Sequence, residues 1–168
     1  VGQFLGTVWS IAHPIFLMGL YVFIFAVVFP ARFDDDVQFP RSYTVFILSG
    51  LIPWLTFQEV LNRSVTVMIQ NGSLVKQIVF PIEVLPVKTV MGTFTAQFVS
   101  TAILAAYTII YDDGLTLWWL MLPILWILQT LAMLGAAYLL AAIGTYVRDL
   151  KDVVQLFTTA NLFLVPIL

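Results

Sequence analysis

Cysteine is absent from the 168-residue sequence, and histidine occurs once, as His13. These absences exclude disulfide bonds, thiolate catalysis and metal sites built from several cysteine or histidine ligands. No acidic residue stands in a sequence relation to His13 that signals a Ser/His/Asp triad. A GxxxxGK(S/T) phosphate-binding loop is also missing, so the chain is not expected to hydrolyse ATP by itself. We therefore predict no catalytic residue, no metal ligand and no cofactor bound by this chain.

Charge is scarce as well. Charged residues make up 10% of the sequence and the formal net charge is −2, with the basic residues scattered, so a nucleic-acid partner is not expected. Hydrophobic residues make up 61%, against about 45–50% in soluble domains, and the mean hydropathy is +1.03. Because so few polar side chains cannot coat a globule, we predict an all-α membrane protein with lipid as its solvent.

Long apolar runs predict the membrane spans, since about 20 helical residues cross the hydrocarbon core. The predicted spans are Ile11 to Phe29, Tyr43 to Met68, Thr89 to Ile110, a fourth from near Trp118 towards Val147, and a fifth begun at Val153. At about 1.5 Å per residue the fourth uncharged stretch is too long for one straight crossing, so a break is expected near Pro123 or Gly144. Small residues in the fourth span predict two close-packing faces, Ala132 with Ala136 and Ala137 with Ala141.

Glu59 and Arg63 are ionisable residues inside the second predicted span. Four residues apart, with the acid first, they share a helix face in the order that favours an ion pair. Charges at membrane depth are costly unless they are paired or wet, so we predict an intramembrane ion pair that faces protein or water. A purely structural pair and a role in conformational change both remain open.

The distribution of basic residues predicts the orientation of the chain. One side of the membrane has five basic residues: Arg63, Lys76, Lys88, Arg148 and Lys151. The loops on the other side have two, Arg32 and Arg41. The side richer in lysine and arginine is cytoplasmic in membrane proteins, which predicts a cytoplasmic N-terminus. The aspartates Asp34 to Asp36 then lie in an outer loop.

The segment from Asn71 to Pro86 (NGSLVKQIVFPIEVLP) is a short amphipathic stretch between two spans. Proline lacks the backbone N–H and clashes with the preceding helical turn, so Pro81 and Pro86 interrupt helix. We predict a helix from Leu74 to Phe80, a break, and a new helix that starts at Pro86.

These residues carry a family resemblance. The set Asn71, Leu74-Val75-Lys76, Phe80-Pro81, Glu83 and Leu85-Pro86 resembles the cytoplasmic loop between spans two and three of ABC-2 type permeases, in the group that exports O-antigen, capsule or teichoic acid. A second short loop, Thr145 to Asp152, is similar to another loop of the same family through Tyr146, Arg148-Asp149 and Leu150. The resemblance covers almost the whole chain.

The resemblance implies a single transmembrane permease domain over 1–168, a fragment that holds five of about six spanning helices. It further implies a homodimer in the bacterial cytoplasmic membrane, bound to an ATP-binding cassette subunit that carries ATP and magnesium, and a lipid-linked polysaccharide as the transported molecule. Segment 71–86 would transmit the motion of the ATPase. The residues that the resemblance assigns to this coupling are Leu74, Val75, Lys76, Phe80, Glu83, Arg148 and Asp149.

Aromatic residues make up 15% of the sequence, and aromatic rings suit the apolar faces of sugars. Since the resemblance implies that spans one and five line the path, we name Tyr21, Phe25 and Phe157 as substrate-path candidates. Phenylalanine is also ordinary on lipid-facing helices.

Three other functions stay open at this point. An ABC-2 exporter of drugs or lipids shares the fold. A membrane-embedded enzyme acting on lipid-linked sugars needs acidic or histidine residues grouped at one interface. An ion-coupled carrier needs ionisable residues deep in a span, which only Glu59 and Arg63 approach, or inverted repeats.

We expect an ATPase subunit to co-purify with the full-length protein in mild detergent, and Lys76→Glu combined with Phe80→Ala to abolish this association. The two changes remove a charge and an apolar contact from the predicted docking helix. Failure of any ATPase to accompany the wild type would instead support the enzyme or the carrier.

Overall fold

The computed structural model describes residues 4–24, 43–72, 81–111, 117–147 and 149–164. Its elements are α1 (Phe4–Phe23), α2 (Tyr43–Gln70), α3 (Val84–Tyr111), a 3-10 turn (Leu117–Met121), α4 (Leu122–Tyr146) and α5 (Leu150–Leu164). Within these ranges every regular element is a helix, as predicted. A helix satisfies its backbone hydrogen bonds internally, and lipid offers no other partner for them.

Three helices are long and apolar enough to cross a membrane: Val45–Gln70, Val84–Ile110 and Trp119–Tyr146. They correspond to the second, third and fourth predicted spans. The first predicted span is described as helix up to residue 23, and the fifth over 150–164. The remaining residues of those two spans lie outside the described ranges.

The start of α3 bears out the predicted break and corrects the predicted helix start. Pro81 is not helical, and α3 begins at Val84, two residues before Pro86. The N–H groups of Val84 and Leu85 donate to the carbonyls of Pro81 and Ile82, at 3.1 and 3.2 Å. Pro86 fits inside the first turn because the N–H groups there have no intrahelical partner. The predicted helix Leu74 to Phe80 lies outside the described residues.

The fourth predicted span is broken near Pro123, one of the two positions predicted for a break. A 3-10 turn over Leu117–Met121 is followed by α4, which has Pro123 at its start. Regular helix then continues through Gly144 to Tyr146, so the alternative break at Gly144 does not occur. The 25 residues of α4 extend about 37 Å, which a tilt of roughly 35° fits within the hydrocarbon core.

The described residues divide into two compact units, one drawn from 1–54 and 95–119 and the other from 55–94 and 120–166. Helices α2 and α3 contribute to both. In the first unit, Ile47, Leu48 and Thr108 are fully buried. The single-domain interpretation of 1–168 stays a prediction.

Threonine hydroxyls in the spans bond mostly to their own helix. In α3, the hydroxyls of Thr89, Thr93, Thr101 and Thr108 donate to carbonyls three or four residues earlier, at 2.7 to 3.1 Å. This satisfies a polar group that lipid cannot, and it leaves the methyl group for packing. Thr93 and Thr108 are buried, in accord with the role in helix packing that their residue type predicts.

The core of the second unit consists of three small clusters among α2, α3, α4 and α5. One joins Val60, Val90, Met133 and Ala137; another joins Leu61, Val65 and Val154; the last joins Val67, Leu85 and Ala141. The outward side of α4 is apolar, as lipid contact requires. Its exposed residues include Ile124, Leu125, Ile127, Leu128, Leu131 and Leu139.

A stripe of small residues lets α4 approach α2 closely. Ala137, Ala141 and Gly144 are buried, which agrees with the predicted Ala137–Ala141 face. A Cβ atom added to Gly144 would overlap the carbonyl oxygen of Val65 and lie 3.0 Å from its carbonyl carbon. Of the other predicted face, Ala132 is exposed and only Ala136 packs against the core.

We expect Gly144→Ala to destabilise the full-length protein by about 1–3 kcal/mol, because the new methyl group meets rigid backbone. Gly135→Ala is the matched control: it is the same change in the same helix, and an added Cβ at Gly135 meets nothing within 4 Å. The control should move stability by no more than about 1 kcal/mol. Thermal unfolding in detergent measures both, and equal shifts would contradict the close approach at Gly144.

Candidate functional site

The order of contacts in the second unit shows how its four helices run. Val67 of α2 meets Leu85 of α3 and Ala141 of α4, whereas Val60, seven residues earlier in α2, meets Val90 and Met133. Moving back along α2 therefore moves forward along α3 and back along α4. Helices α2 and α4 run in the same direction, and α3 runs against them.

Helix α5 also runs against α2. It begins at Leu150, four residues after α4 ends at Tyr146, yet Val154 packs in one cluster with Ala136 and Leu140, so α5 turns back along α4. Since α4 is parallel to α2, α5 is antiparallel to α2, against which Val154 packs at Leu61 and Val65 and Thr158 bonds to Asn62. The last residues of α2 and α4 and the first residues of α3 and α5 consequently lie at the same end of the unit, which we call the junction end. The two loops predicted to be cytoplasmic, 71–86 and 145–152, both connect helices there.

Glu83 lies at the junction end immediately before α3. Its side chain is exposed, and its backbone carbonyl accepts a 2.9 Å hydrogen bond from the hydroxyl of Tyr138. The bond links the chain that enters α3 to a residue two turns before the end of α4. Tyr138 was not predicted, since one tyrosine within an apolar span carries no signal that it reaches another helix.

Asp149 is the residue from which α5 begins. Its carbonyl accepts the N–H groups of Asp152, at 3.1 Å, and Val153, at 3.3 Å. Exposed carboxylates at Asp149 and Asp152 stand beside the positive end of the helix dipole, which favours the helix start at this position. The other predicted coupling residues, Leu74, Val75, Lys76, Phe80 and Arg148, lie outside the described residues.

The predicted ion pair of α2 forms. Arg63 Nη2 lies 2.6 Å from Glu59 Oε1, and the two side chains are 60% and 36% exposed. Glu59 is fourteen residues after Val45, where this candidate span begins, or about 21 Å along the helix. A single charge at the centre of a span costs about 2.5–3.5 kcal/mol, so pairing offsets a real penalty.

A hydrogen bond between side chains joins α2 to α5. Asn62 Nδ2 donates to Thr158 Oγ1 at 3.3 Å and to the Gln58 carbonyl at 3.0 Å. Thr158 is fully buried, and its hydroxyl in turn donates to the Gln155 carbonyl at 3.0 Å. The sequence did not lead us to predict this contact between Asn62 and Thr158. The available signal was the amide of Asn62 directly before the charged Arg63.

The substrate-path candidates are placed only in part. Tyr21 is half-buried in α1, Phe157 is exposed on α5, and Phe25 lies outside the described residues. Their role in transport stays a prediction.

No known family profile matches the chain. It is 31% identical over 97% of its length to an O-antigen export system permease protein, RfbA, of Klebsiella pneumoniae, and 28% identical over 99% of its length to the RfbA permease of Myxococcus xanthus. A shorter match, 37% identical over 44% of the chain and 27% of the relative, is to the polysialic acid transport protein KpsM of Escherichia coli.

The chain spans about six-tenths of the length of the O-antigen export permeases that it matches. Three apolar helices long enough to cross a membrane, together with these relatives, identify a multi-pass membrane protein. The similarity runs through the junction end as well as the spans, and so includes the residues that carried the family resemblance. The chain is a homologue of the ABC-2 type permeases of polysaccharide export systems, as its sequence predicts.

Proposed function

We propose that the chain is the membrane-spanning part of a permease subunit that moves a lipid-linked polysaccharide across the bacterial cytoplasmic membrane. The observation that carries this proposal is the similarity, over nearly the whole chain, to permeases of O-antigen export. Transport by a path through the spans also suits a chain whose sequence offers no catalytic triad and no ATP-binding loop.

The energy source in this proposal is a separate ATP-binding cassette subunit, on which ATP and magnesium bind. The junction end is the docking surface, because loops 71–86 and 145–152 both connect helices there. The predicted docking segment is Leu74 to Phe80, and the exposed Glu83 and Asp149 lie at the junction end as further candidates for contact with the ATPase. The bond from Tyr138 to the Glu83 carbonyl supports transmission, since a displacement of the loop would pull on α4 as well as on α3.

The functional unit is a homodimer with its N-termini and junction ends on the cytoplasmic side. Few helices per chain favour a dimer, because a conduit wide enough for a polymer needs more walls than one chain supplies. The orientation rests on the excess of lysine and arginine in the segments assigned to that side.

Deleting the gene for the full-length protein is expected to remove polysaccharide from the cell surface and to leave its lipid-linked form inside. Immunoblotting of surface and intracellular fractions measures both pools. A wild-type copy of the gene should restore export. The double variant Glu83→Lys with Asp149→Lys should reduce export by tenfold or more, because a loss of roughly 1.4 kcal/mol in the free energy of binding to the ATPase lowers the affinity tenfold. Asp35→Lys, a charge reversal in the predicted outer loop, is the control. Normal surface polysaccharide in the deletion strain would refute the proposal.

Orientation has its own test, because this segment contains no native cysteine. In intact cells a membrane-impermeant maleimide should label Asp35→Cys. Glu83→Cys, at the junction end, should react only after the membrane is permeabilised. The reverse pattern would place the junction end outside and remove it from any cytoplasmic ATPase.

A further inference from the structure

The exposed surface of α5 has two unlike sides. Val154 and Thr158 are buried against the rest of the unit. At about 100° per residue, Gln155 and Thr159 lie on one side of this buried strip, whereas Val153 and Phe157 lie on the other. Asp152 lies on the first side, and Leu156 borders it opposite the buried strip, in the same shallow groove as Gln155 and Thr159. All six side chains are exposed.

Helix α2 has a polar stripe of its own. Glu59, Arg63, Thr66 and Gln70 follow one another at intervals of four, three and four residues and so share a face. Beyond the ion pair, Gln70 Nε2 donates to Thr66 Oγ1 at 3.1 Å, and Thr66 Oγ1 donates to the Arg63 carbonyl at 3.4 Å. The stripe lies within a helix that is long and apolar enough to span the membrane.

The two polar stripes lie on the same side of the α2–α5 pair. On α2, Leu61 and Val65 face Val154, and Asn62, further round the helix, reaches Thr158. Thr158 is itself turned from Val154 towards the Gln155 side. Because α2 and α5 are antiparallel, rotating further in this direction around each helix leads to the same side of the pair. The α2 stripe and the polar side of α5 are therefore neighbours, just beyond the Asn62–Thr158 bond.

We call the α2 stripe and the polar side of α5 together the hydrophilic face. This surface offers hydrogen-bonding groups, and its α2 part has no net charge. Glu59 and Arg63 neutralise each other, so Arg63 does not need a carboxylate from another chain. Gln155 and Gln70 add amide groups. The hydroxyl of Thr159 donates to the Gln155 carbonyl at 2.8 Å, and its oxygen can still accept a hydrogen bond. Such a surface suits water and a hydroxyl-rich chain better than it suits lipid.

We propose that the hydrophilic face is the water-exposed wall along which the polysaccharide moves, and that the side of α5 with Val153 and Phe157 contacts lipid. On this proposal α5 meets the polysaccharide through Gln155 and Thr159, in place of the Phe157 contact that the family resemblance suggested. The inference rests on the proposed function and deepens it. Gln155 and Thr159 contact the sugar hydroxyls, while the paired charges of α2 keep this part of the path wet and neutral.

Cysteine accessibility tests this assignment in the full-length protein in native membranes, with any cysteines outside the segment replaced. Gln155→Cys and Thr159→Cys report on the hydrophilic face. Val153→Cys and Phe157→Cys are matched controls, two residues away in each case and on the opposite side of the same helix. A charged methanethiosulfonate reacts with thiolates, which form in water and not in lipid, so the first pair should react roughly tenfold faster or more.

Equal rates, or faster reaction of the control pair, would overturn the inference. Protection of Gln155→Cys and Thr159→Cys together with disulfide cross-linking between two copies would also overturn it, because the face would then be a dimer interface. The labelling does not require transport. The expected labelling pattern can therefore be absent from a protein that exports polysaccharide normally, which separates failure of this inference from failure of the proposed function. As a second readout, labelling of Thr159→Cys should block export, whereas Val153→Leu on the lipid side should leave export unchanged.

Discussion

The backbone contact between Gly144 and Val65 is the constraint on which the second unit depends. Lipid provides no hydrophobic force that drives one apolar helix onto another, so helices in a membrane associate through close packing and hydrogen bonds. Ala137, Ala141 and Gly144 remove the side-chain bulk that would hold α4 away from α2. The chain reverses direction from α2 to α3, from α3 to α4 and from α4 to α5, so four helix ends meet at one end of the unit.

Polar groups in the spans divide into two kinds according to their partners. The threonines of α3 bond to carbonyls of their own helix and serve packing. Asn62 and Thr158 bond across helices, and Glu59 and Arg63 pair while remaining partly exposed. The ion pair, together with the exposed amides of Gln70 and Gln155, gives the unit a hydrophilic side.

At the junction end, the bond from Tyr138 to the Glu83 carbonyl connects the predicted coupling loop to a helix distant in sequence. Glu83 belongs to that loop and directly precedes α3, and Asp149 belongs to loop 145–152 and directly precedes α5, so motion of either loop acts on a helix start. The hydrophilic face begins at this same end, through Asp152 and Gln70.

The sequence alone determined that the chain is helical and membrane-spanning, because length and hydropathy set what can cross lipid. It also determined the break at Pro81, the ion pair of Glu59 and Arg63 and the family, since each depends on local spacing or on a motif. The tertiary structure decided the rest: that Gly144 touches backbone, that Tyr138 reaches Glu83, that Asn62 bonds Thr158, and which side of α5 is buried. Those facts depend on how helices far apart in sequence are rotated against one another, and an apolar helix surrounded by lipid carries too little amphipathic pattern to reveal its own rotation.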